Sequence, residues 1–244
     1  MSGRLLTVDA GNSTLDLMVH PSAARRRFEA HAGDADLLAF VDQHPIEECA
    51  AVSVRAGALQ RLLPALRARG VRCRVVGEEL ACPLPLDYAT PQTLGADRWL
   101  GALAAHRRFG RAVVVDCGTA TTVNLVEDDG TFRGGPIAPG LAAFVAGMAA
   151  VTPALPAPRL EAEPEMPPRS SQAAVDAGVL VGYGGLVERL VADLLRAARG
   201  PATVVVTGGR AELVLRHARL RAESVPDLVH QGLRLLAEAS PCGG

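Results

Sequence analysis

Two stretches of this 244-residue chain repeat one arrangement, and nothing else in the sequence narrows its fold as much. LLTVDAGNSTLDLMV (residues 5–19) and VVVDCGTATTVNLVE (residues 113–127) each read as a strand, an Asp-x-Gly turn rich in small and hydroxyl residues, and a second strand. The glycine lets the chain bend without a Cβ clash, and the N–H groups after it can converge into an anion-binding concavity. The hydroxyls add donors at the same place. A carboxylate cannot meet a phosphate directly unless a cation lies between them. Asp9 and Asp116 therefore read as groups that hold a metal ion, or metal-bound water, beside phosphate oxygens. One such turn could be an ordinary hairpin. Two of them, with a third glycine turn at Thr207-Gly208-Gly209 where adenine or ribose could approach the backbone, predict a nucleotide site.

All 25 basic residues are arginine. A chain without lysine has no Schiff-base amine, no lysine general base and no P-loop lysine. Phosphate chemistry here must rest on backbone N–H groups, hydroxyls, arginine and metal ions. The net charge of −1 gives no reason to expect a nucleic-acid partner. The one tight basic cluster, ARRRF at 24–28, reads as a solvated surface patch rather than a phosphate-backbone site. No apolar run is long enough for a bilayer and the first residues enter a strand, so no membrane association and a cytoplasmic location are expected. Five cysteines (Cys49, Cys73, Cys82, Cys117 and Cys242) form no CxxC pair and fit reduced thiols. Cys117, inside the second turn, reads as a small core-facing residue, with a nucleophile as the alternative.

Apolar patterning predicts strands at 4–9, 14–19, 50–54, 71–76, 112–116, 121–126 and 202–206, and helices near 34–43, 57–69, 94–108, 140–150, 172–198, 210–217 and 227–239. This is an α/β chain of two similar halves, 1–110 and 111–244. The Pro-rich segment at 152–171 reads as a loop.

The Asp-x-Gly-Asn-Ser turn, the Asp-x-Gly-Thr-Ala-x-Thr turn and the late Thr-Gly-Gly resemble the actin-like ATPase superfamily of sugar kinases and Hsp70 chaperones. YATPQTLGADRW (88–99), GGPIAPGL (134–141), SQAAVDAG (171–178) and SVPDLVHQGLRLLAE (224–238) narrow the match. In that order and spacing they resemble type III pantothenate kinase along nearly the whole chain. The resemblance implies two actin-like (ribonuclease H-like) domains with an active-site cleft between them. It implies ATP-dependent phosphorylation of pantothenate to 4′-phosphopantothenate, the first step of coenzyme A synthesis, by a homodimer that uses Mg²⁺ and a monovalent cation, K⁺ or NH₄⁺. Carried over by motif, Asp97 is the general base, and Gly95, Ala96 and Arg98 belong with it in the pantothenate site, together with Tyr88 and Ser171. Asp9, Ala10, Gly11, Asn12, Ser13, Thr14, Leu15 and Asp16 form the first ATP turn, Thr119 contacts the ATP phosphates, and Asp116 binds the monovalent cation.

The residue chemistry fits these roles. A primary hydroxyl is a weak nucleophile, and a carboxylate within hydrogen-bond reach can take its proton during phosphoryl transfer. Arg98 can grip a substrate carboxylate with two parallel contacts. Helix capping and a surface ion pair are the alternative for this pair. Three positions depart from the family pattern: Ser171 stands where Thr is usual, Asn124 where Asp is usual, and Thr90 where the YxNP asparagine is usual. Two other readings stay open, a nucleotide-binding regulator of the same fold and a kinase for another small hydroxy acid.

Overall fold

The computed structural model describes residues 4–55 and 57–240; Cys242 lies outside them. The order is β1 (Arg4–Ala10), β2 (Thr14–His20), β3 (Ala24–Glu29), α1 (Asp34–Val41), β4 (Ile46–Ser53), α2 (Leu62–Arg67), β5 (Arg72–Val75), a 3₁₀ turn (Pro91–Thr93), and α3 (Ala96–Phe109). There follow β6 (Ala112–Cys117), β7 (Ala120–Val126), β8 (Phe132–Gly134), β9 (Ile137–Pro139), α4 (Leu141–Val151), α5 (Ser171–Ala197), β10 (Thr203–Thr207), α6 (Ala211–His217), β11 (Glu223–Ser224) and α7 (Leu228–Ala239). No helix among the described residues is long and apolar enough to cross a membrane.

The chain forms two compact units. The first holds the described residues up to Pro85, Ala89–Ala104, and the chain from Leu228 on; the second holds Leu86–Tyr88 and Ala105–Asp227. The first unit is built on a five-stranded sheet in the order β3-β2-β1-β4-β5. Its hairpins β1–β2 and β2–β3 are antiparallel, and β4 and β5 are added in parallel. Strand alternation sends Leu6, Val8, Leu15, Leu17 and Val19 to one face, where they bury against Leu37 and Phe40 of α1 and Leu62 and Leu66 of α2. The opposite face carries Thr7, Asp9 and Asp16, and α7 crosses β1 and β4 there. α7 also packs closely on α3: a Cβ on Gly232 would sit 2.3 Å from the Leu100 carbonyl oxygen, so only glycine fits.

The second unit repeats the plan, with strand order β11-β10-β6-β7-β8 and β9 paired to β7. Val113, Val115, Cys117, Val123 and Leu125 bury against Val179, Leu180, Tyr183 and Val187 of α5 and Val214 of α6.

Most predicted elements are present, with three differences. The ARRRF cluster, expected as a solvated surface patch, lies on a strand, β3, that was not expected, with Arg26 and Arg27 exposed on it. The helix expected over 57–69 is confined to Leu62–Arg67, because Gly57 takes a left-handed φ of 77° and the chain turns before the helix starts. Two short strands, β8 and β9, form around GGPIAP, where the glycines and prolines hide any strand period.

Candidate active site

The first turn is a tight hairpin: the Gly11 N–H donates to the Thr14 carbonyl at 2.9 Å, and the Ser13 carbonyl accepts from the Ala30 N–H at 3.0 Å. Asn12 and Ser13 are exposed at its tip, and Asp9 is half-buried at the end of β1. Of the residues expected to hold ATP, Asp9, Gly11, Asn12, Ser13 and Thr14 lie at this turn. The side chains of Ala10 and Leu15 instead enter the hydrophobic core. They can serve a ligand only through their backbone.

Asp16 is also turned inward. On β2 it sits directly opposite Asp9 of β1, on the same face of the sheet, and its carboxylate accepts from Arg25 (Nε 3.0 Å, Nη2 2.7 Å) and Arg27 (Nε 2.8 Å, Nη2 2.7 Å). The buried His230 Nε2 lies 3.4 Å from it, an ion-pair contact too long for a good hydrogen bond, while His230 Nδ1 is 2.8 Å from the Thr7 hydroxyl. Burial alone would raise the Asp16 carboxyl, but His230 and Arg25 outweigh it and hold the group well below the usual carboxylate range. Such a carboxylate is ionised and already spent on cations. The sequence reading missed these partners; the only signal was the alternation in ARRRFE, which puts Arg25 and Arg27 on one face and Arg26 with Phe28 on the other.

Also in the first unit, Gly95 leads into α3. The Asp97 Oδ1 accepts the Arg98 N–H at 2.8 Å, in the manner of a capping carboxylate, and a Cβ on Gly95 would lie 2.6 Å from that oxygen. Burial raises the Asp97 carboxyl above the ordinary aspartate value, with Arg98 only partly opposing it. A carboxylate whose proton affinity is raised is a better proton acceptor than an exposed one. The Arg98 side chain is buried beside it, at 7% exposure. The Thr90 hydroxyl, where the family has asparagine, is 2.9 Å from that of Thr93, so it helps to order the 3₁₀ turn before α3.

In the second unit, Asp116 ends β6 half-buried, and Gly118 and Thr119 are exposed just after it. The Gly118 N–H donates to the Ala120 carbonyl at 3.1 Å, and the Thr119 carbonyl accepts from the Gly140 N–H at 3.2 Å. Gly140, the last glycine of GGPIAPG, is thereby placed so close that a Cβ would lie 2.3 Å from the Thr119 carbonyl oxygen. The late Thr-Gly-Gly closes on the same turn: Gly208 has φ +92° and a Cβ there would lie 2.5 Å from the Asp116 Oδ1. Three separated motifs thus converge on Asp116. Behind it, Thr122 is its cross-strand partner, and the buried Asn124 amide donates to the Thr122 hydroxyl at 3.1 Å. Burial and the nearby Asp116 charge push the Cys117 thiol up to about 12, which rules it out as a nucleophile at neutral pH.

Tyr88 leans its ring toward Phe132 (centroids 6.2 Å apart, 51°) and covers Gly134, where a Cβ would come within 2.7 Å of it. Ser171 is the exposed first residue of α5, capped by Ser170, whose hydroxyl accepts the Ala173 N–H at 3.1 Å. The Pro-rich loop before it is pinned one turn into α5: Asp176 accepts from the Arg159 backbone N–H (2.7 Å) and guanidinium (Nε 2.9 Å), and from Gln172.

Among the described residues, no three His, Cys, Asp or Glu side chains are grouped to hold a metal ion by themselves. Single carboxylates at the ends of β1 and β6 are the donor set that suits Mg²⁺, which takes one or two carboxylates and finishes its shell with nucleotide phosphates and water.

Comparison with known proteins agrees with this arrangement. A family model described as type III pantothenate kinase matches residues 5–193. A type III pantothenate kinase from Rhizorhabdus wittichii is 33% identical, with 98% of this chain and 99% of that protein aligned. Two crystal structures share the fold at low identity. A Campylobacter jejuni protein described as a Baf family transcriptional activator has TM-score 0.62 at 19% identity, over 97% of this chain and 98% of that one. An inorganic polyphosphate/ATP-glucomannokinase from Arthrobacter has TM-score 0.53 at 16% identity, over 98% and 100%. With an actin-like α/β fold, two Asp-Gly turns and relatives aligned from end to end, this chain belongs to the type III pantothenate kinase family.

Proposed function

We propose that the chain transfers the γ-phosphoryl group of ATP to the primary hydroxyl of pantothenate, giving 4′-phosphopantothenate and ADP, with Asp97 as general base. The observation that carries the mechanism is the half-buried Asp97 carboxylate at the head of α3, its proton affinity raised by desolvation. The hydroxyl proton passes to an Asp97 oxygen as the hydroxyl oxygen bonds to the γ-phosphorus. The bond from that phosphorus to the bridging oxygen breaks, and ADP leaves. Arg98, fixed by its burial, pairs with the pantothenate carboxylate; Tyr88, Gly95, Ala96 and Ser171 are the other residues we assign to pantothenate. The turn at Gly11–Thr14 and Thr119 offer N–H groups and hydroxyls to the phosphates. When bound, Mg²⁺ neutralises charge on the β- and γ-phosphates, with Asp9 as its protein-side carboxylate. Asp116, packed against Gly208 and backed by Thr122, is the ligand for K⁺ or NH₄⁺.

A homodimer is part of this reading. The eleven residues of α4 carry no charged side chain and leave Ala142, Ala146, Ala150 and Val151 exposed; α5 exposes Val181 and Gly182. Exposed apolar surface on adjacent elements of one unit is what a subunit contact buries. Cellular ATP and pantothenate place the reaction in the cytoplasm.

The test is ADP release from ATP, Mg²⁺ and K⁺ with and without pantothenate. Pantothenate-dependent release supports the reading, and none with either K⁺ or NH₄⁺ overturns it. Faster turnover of another small hydroxy acid would move the substrate but keep the chemistry. The regulator reading has a weaker footing, because a binding module has no use for a desolvated carboxylate beside a buried arginine.

A further inference from the structure

The last helix of the first unit, α7, touches both of the elements there that carry proposed site residues: the sheet with Asp9 and Asp16, and α3 with Asp97 and Arg98 at its head. Its contact with the sheet is polar. His230, 2% exposed, places Nδ1 2.8 Å from the Thr7 hydroxyl and Nε2 3.4 Å from the Asp16 Oδ1. Thr7 stands two residues before Asp9 on the same face of β1, and Asp16 is the cross-strand partner of Asp9. Both groups that His230 meets are therefore immediate neighbours of Asp9 on that face.

Gly232 points the other way. A helix turns about 100° per residue, so two residues on the direction has swung roughly 200°, to the far side of the axis. There α7 meets α3 without an intervening side chain: a Cβ on Gly232 would lie 2.3 Å from the Leu100 carbonyl oxygen, 2.8 Å from its carbonyl carbon and 3.1 Å from its Cα. Leu100 is about one helical turn along α3 from Asp97. No rotamer change relieves a contact with backbone, so a displacement of α7 is passed on to α3 rather than absorbed. The far end of α7 is fixed as well, because the buried Arg74 of β5 donates to the Ala237 carbonyl at 3.0 Å and to that of Ser240. Leu228, Leu233 and Leu236 supply the apolar anchoring of the helix. For the fold alone, an apolar side chain at 230 would avoid burying a polar ring, and alanine at 232 would be the better helix former.

We infer that α7 is a spacer that sets the position of Asp97 relative to Asp9, with His230 and Gly232 as its positioning residues. This rests on the kinase reading above and deepens it. Phosphoryl transfer is catalysed almost wholly by placement and electrostatics, and a misplacement of about 1 Å can cost ~10²-fold in rate. Gly232 fixes how near α3 comes to α7, and His230 fixes where α7 sits on the sheet beside Asp9.

The test compares kcat and KM for pantothenate-dependent ADP release, and the Kd of Mg·ATP, in the wild type, Gly232→Ala, His230→Leu, His230→Asn and Leu236→Ala. Thermal melts set an assay temperature at which each protein is folded. In Gly232→Ala and His230→Leu, kcat is expected to fall ~10-fold or more while the Kd of Mg·ATP stays within about twofold. His230→Asn, whose amide can still meet the Thr7 hydroxyl, recovers part of the loss. Leu236→Ala removes apolar packing from the same helix and lowers the melting temperature, yet keeps kcat within about twofold of wild type. A kcat within about twofold of wild type in either Gly232→Ala or His230→Leu overturns the inference. So does an equal loss in Leu236→Ala, which would make α7 a support for the fold alone. If Gly232→Ala does not fold, the two His230 variants decide: recovery in His230→Asn upholds the inference and no recovery overturns it. Wild-type protein that releases no ADP with pantothenate overturns the kinase reading and this inference with it, whereas an active wild type with unaffected variants overturns this inference alone.

Discussion

Asp97→Asn separates chemistry from binding and from folding in one substitution. Asn keeps the shape of the side chain and an oxygen for the Arg98 N–H, now held at 2.8 Å, so the head of α3 is preserved. What it removes is the proposed proton acceptor. General-base catalysis contributes ~10²–10⁴-fold, so kcat is expected to fall by at least ~10²-fold, or about 2.7 kcal/mol of transition-state stabilisation, with ATP affinity unchanged. Stability moves the other way. The folded protein raises this carboxyl above its ordinary value of 3.8, with burial the main cause. A group with a raised pKa favours its neutral form in the folded state. Below the unfolded value it costs nothing, and as pH rises through the folded value the buried charge becomes a penalty. Asn carries no such penalty, so the variant melts at the same temperature as wild type or higher at pH 7–8. The same shift predicts that the acid limb of the kcat/KM profile lies above 3.8 and disappears in the variant. Coupled ADP release across pH, with calorimetry beside it, reads all three. Turnover within threefold of wild type would refute Asp97 as the base, and a lower melting temperature would refute the account of its burial.

Asp16 has the opposite sign: its folded carboxyl is depressed, so its contribution is present above the unfolded aspartate value and is lost as pH falls. Asp16→Ala leaves His230 buried beside two arginines and is expected to cost toward the lower end of ~3–5 kcal/mol at pH 7; chemical denaturation at pH 7 and at pH 3 should show the difference shrinking in acid. Gly208→Ala forces a Cβ toward the Asp116 carboxylate at a φ of +92°, with an expected loss of ~2 kcal/mol or more together with the K⁺ response, read by melts and by ADP release against K⁺. Asp116→Ala should flatten the K⁺ dependence while leaving the fold intact, and an unaltered K⁺ titration would place the cation elsewhere. Val181→Glu on the exposed face of α5 should shift a dimer to monomer in light scattering without lowering the melting temperature of the unit.

The alternating strands around the two Asp-Gly turns were readable because each has one buried apolar face, and period-2 patterning reports that directly. Strand β3 was not, since ARRRFE puts charge on both faces: Arg26 lies 5.1 Å above the Phe28 ring on one side while Arg25 and Arg27 serve Asp16 on the other. An edge strand whose ladder is completed by ion pairs looks, in sequence, like a solvated patch. The short α2 was over-read because Leu59, Leu62 and Leu66 keep a helical spacing, while the left-handed Gly57 breaks the backbone ahead of them. The residues named for the site were legible as motifs, yet their surroundings were not. That Ala10 and Leu15 point into the core follows from the register of β1 against β2, and that Gly140 and Gly208 close on Thr119 and Asp116 depends on chain separated by 21 and 92 residues (140 − 119 and 208 − 116).

The two Asp-Gly turns share a backbone plan but not an electrostatic setting, and that difference argues for a division of labour. Across from Asp9 stands a second carboxylate, clamped by two arginines, so the first row carries two carboxylates balanced by two guanidiniums. Across from Asp116 stands Thr122, whose hydroxyl accepts from the neutral Asn124 amide. A carboxylate row already balanced by fixed guanidiniums has little to offer a monovalent cation. A half-buried carboxylate among hydroxyls and backbone carbonyls has more to offer, since oxygen dipoles and one negative charge suit a large, weakly hydrated cation. Had the family's usual aspartate stood at position 124, a second carboxylate would share the face of Asp116, one row along the ladder and opposite Val114. The amide at Asn124 lowers that charge, so this chain should hold its cation more weakly than an Asn124→Asp variant does, and the half-saturating K⁺ concentration of that variant should be the lower of the two.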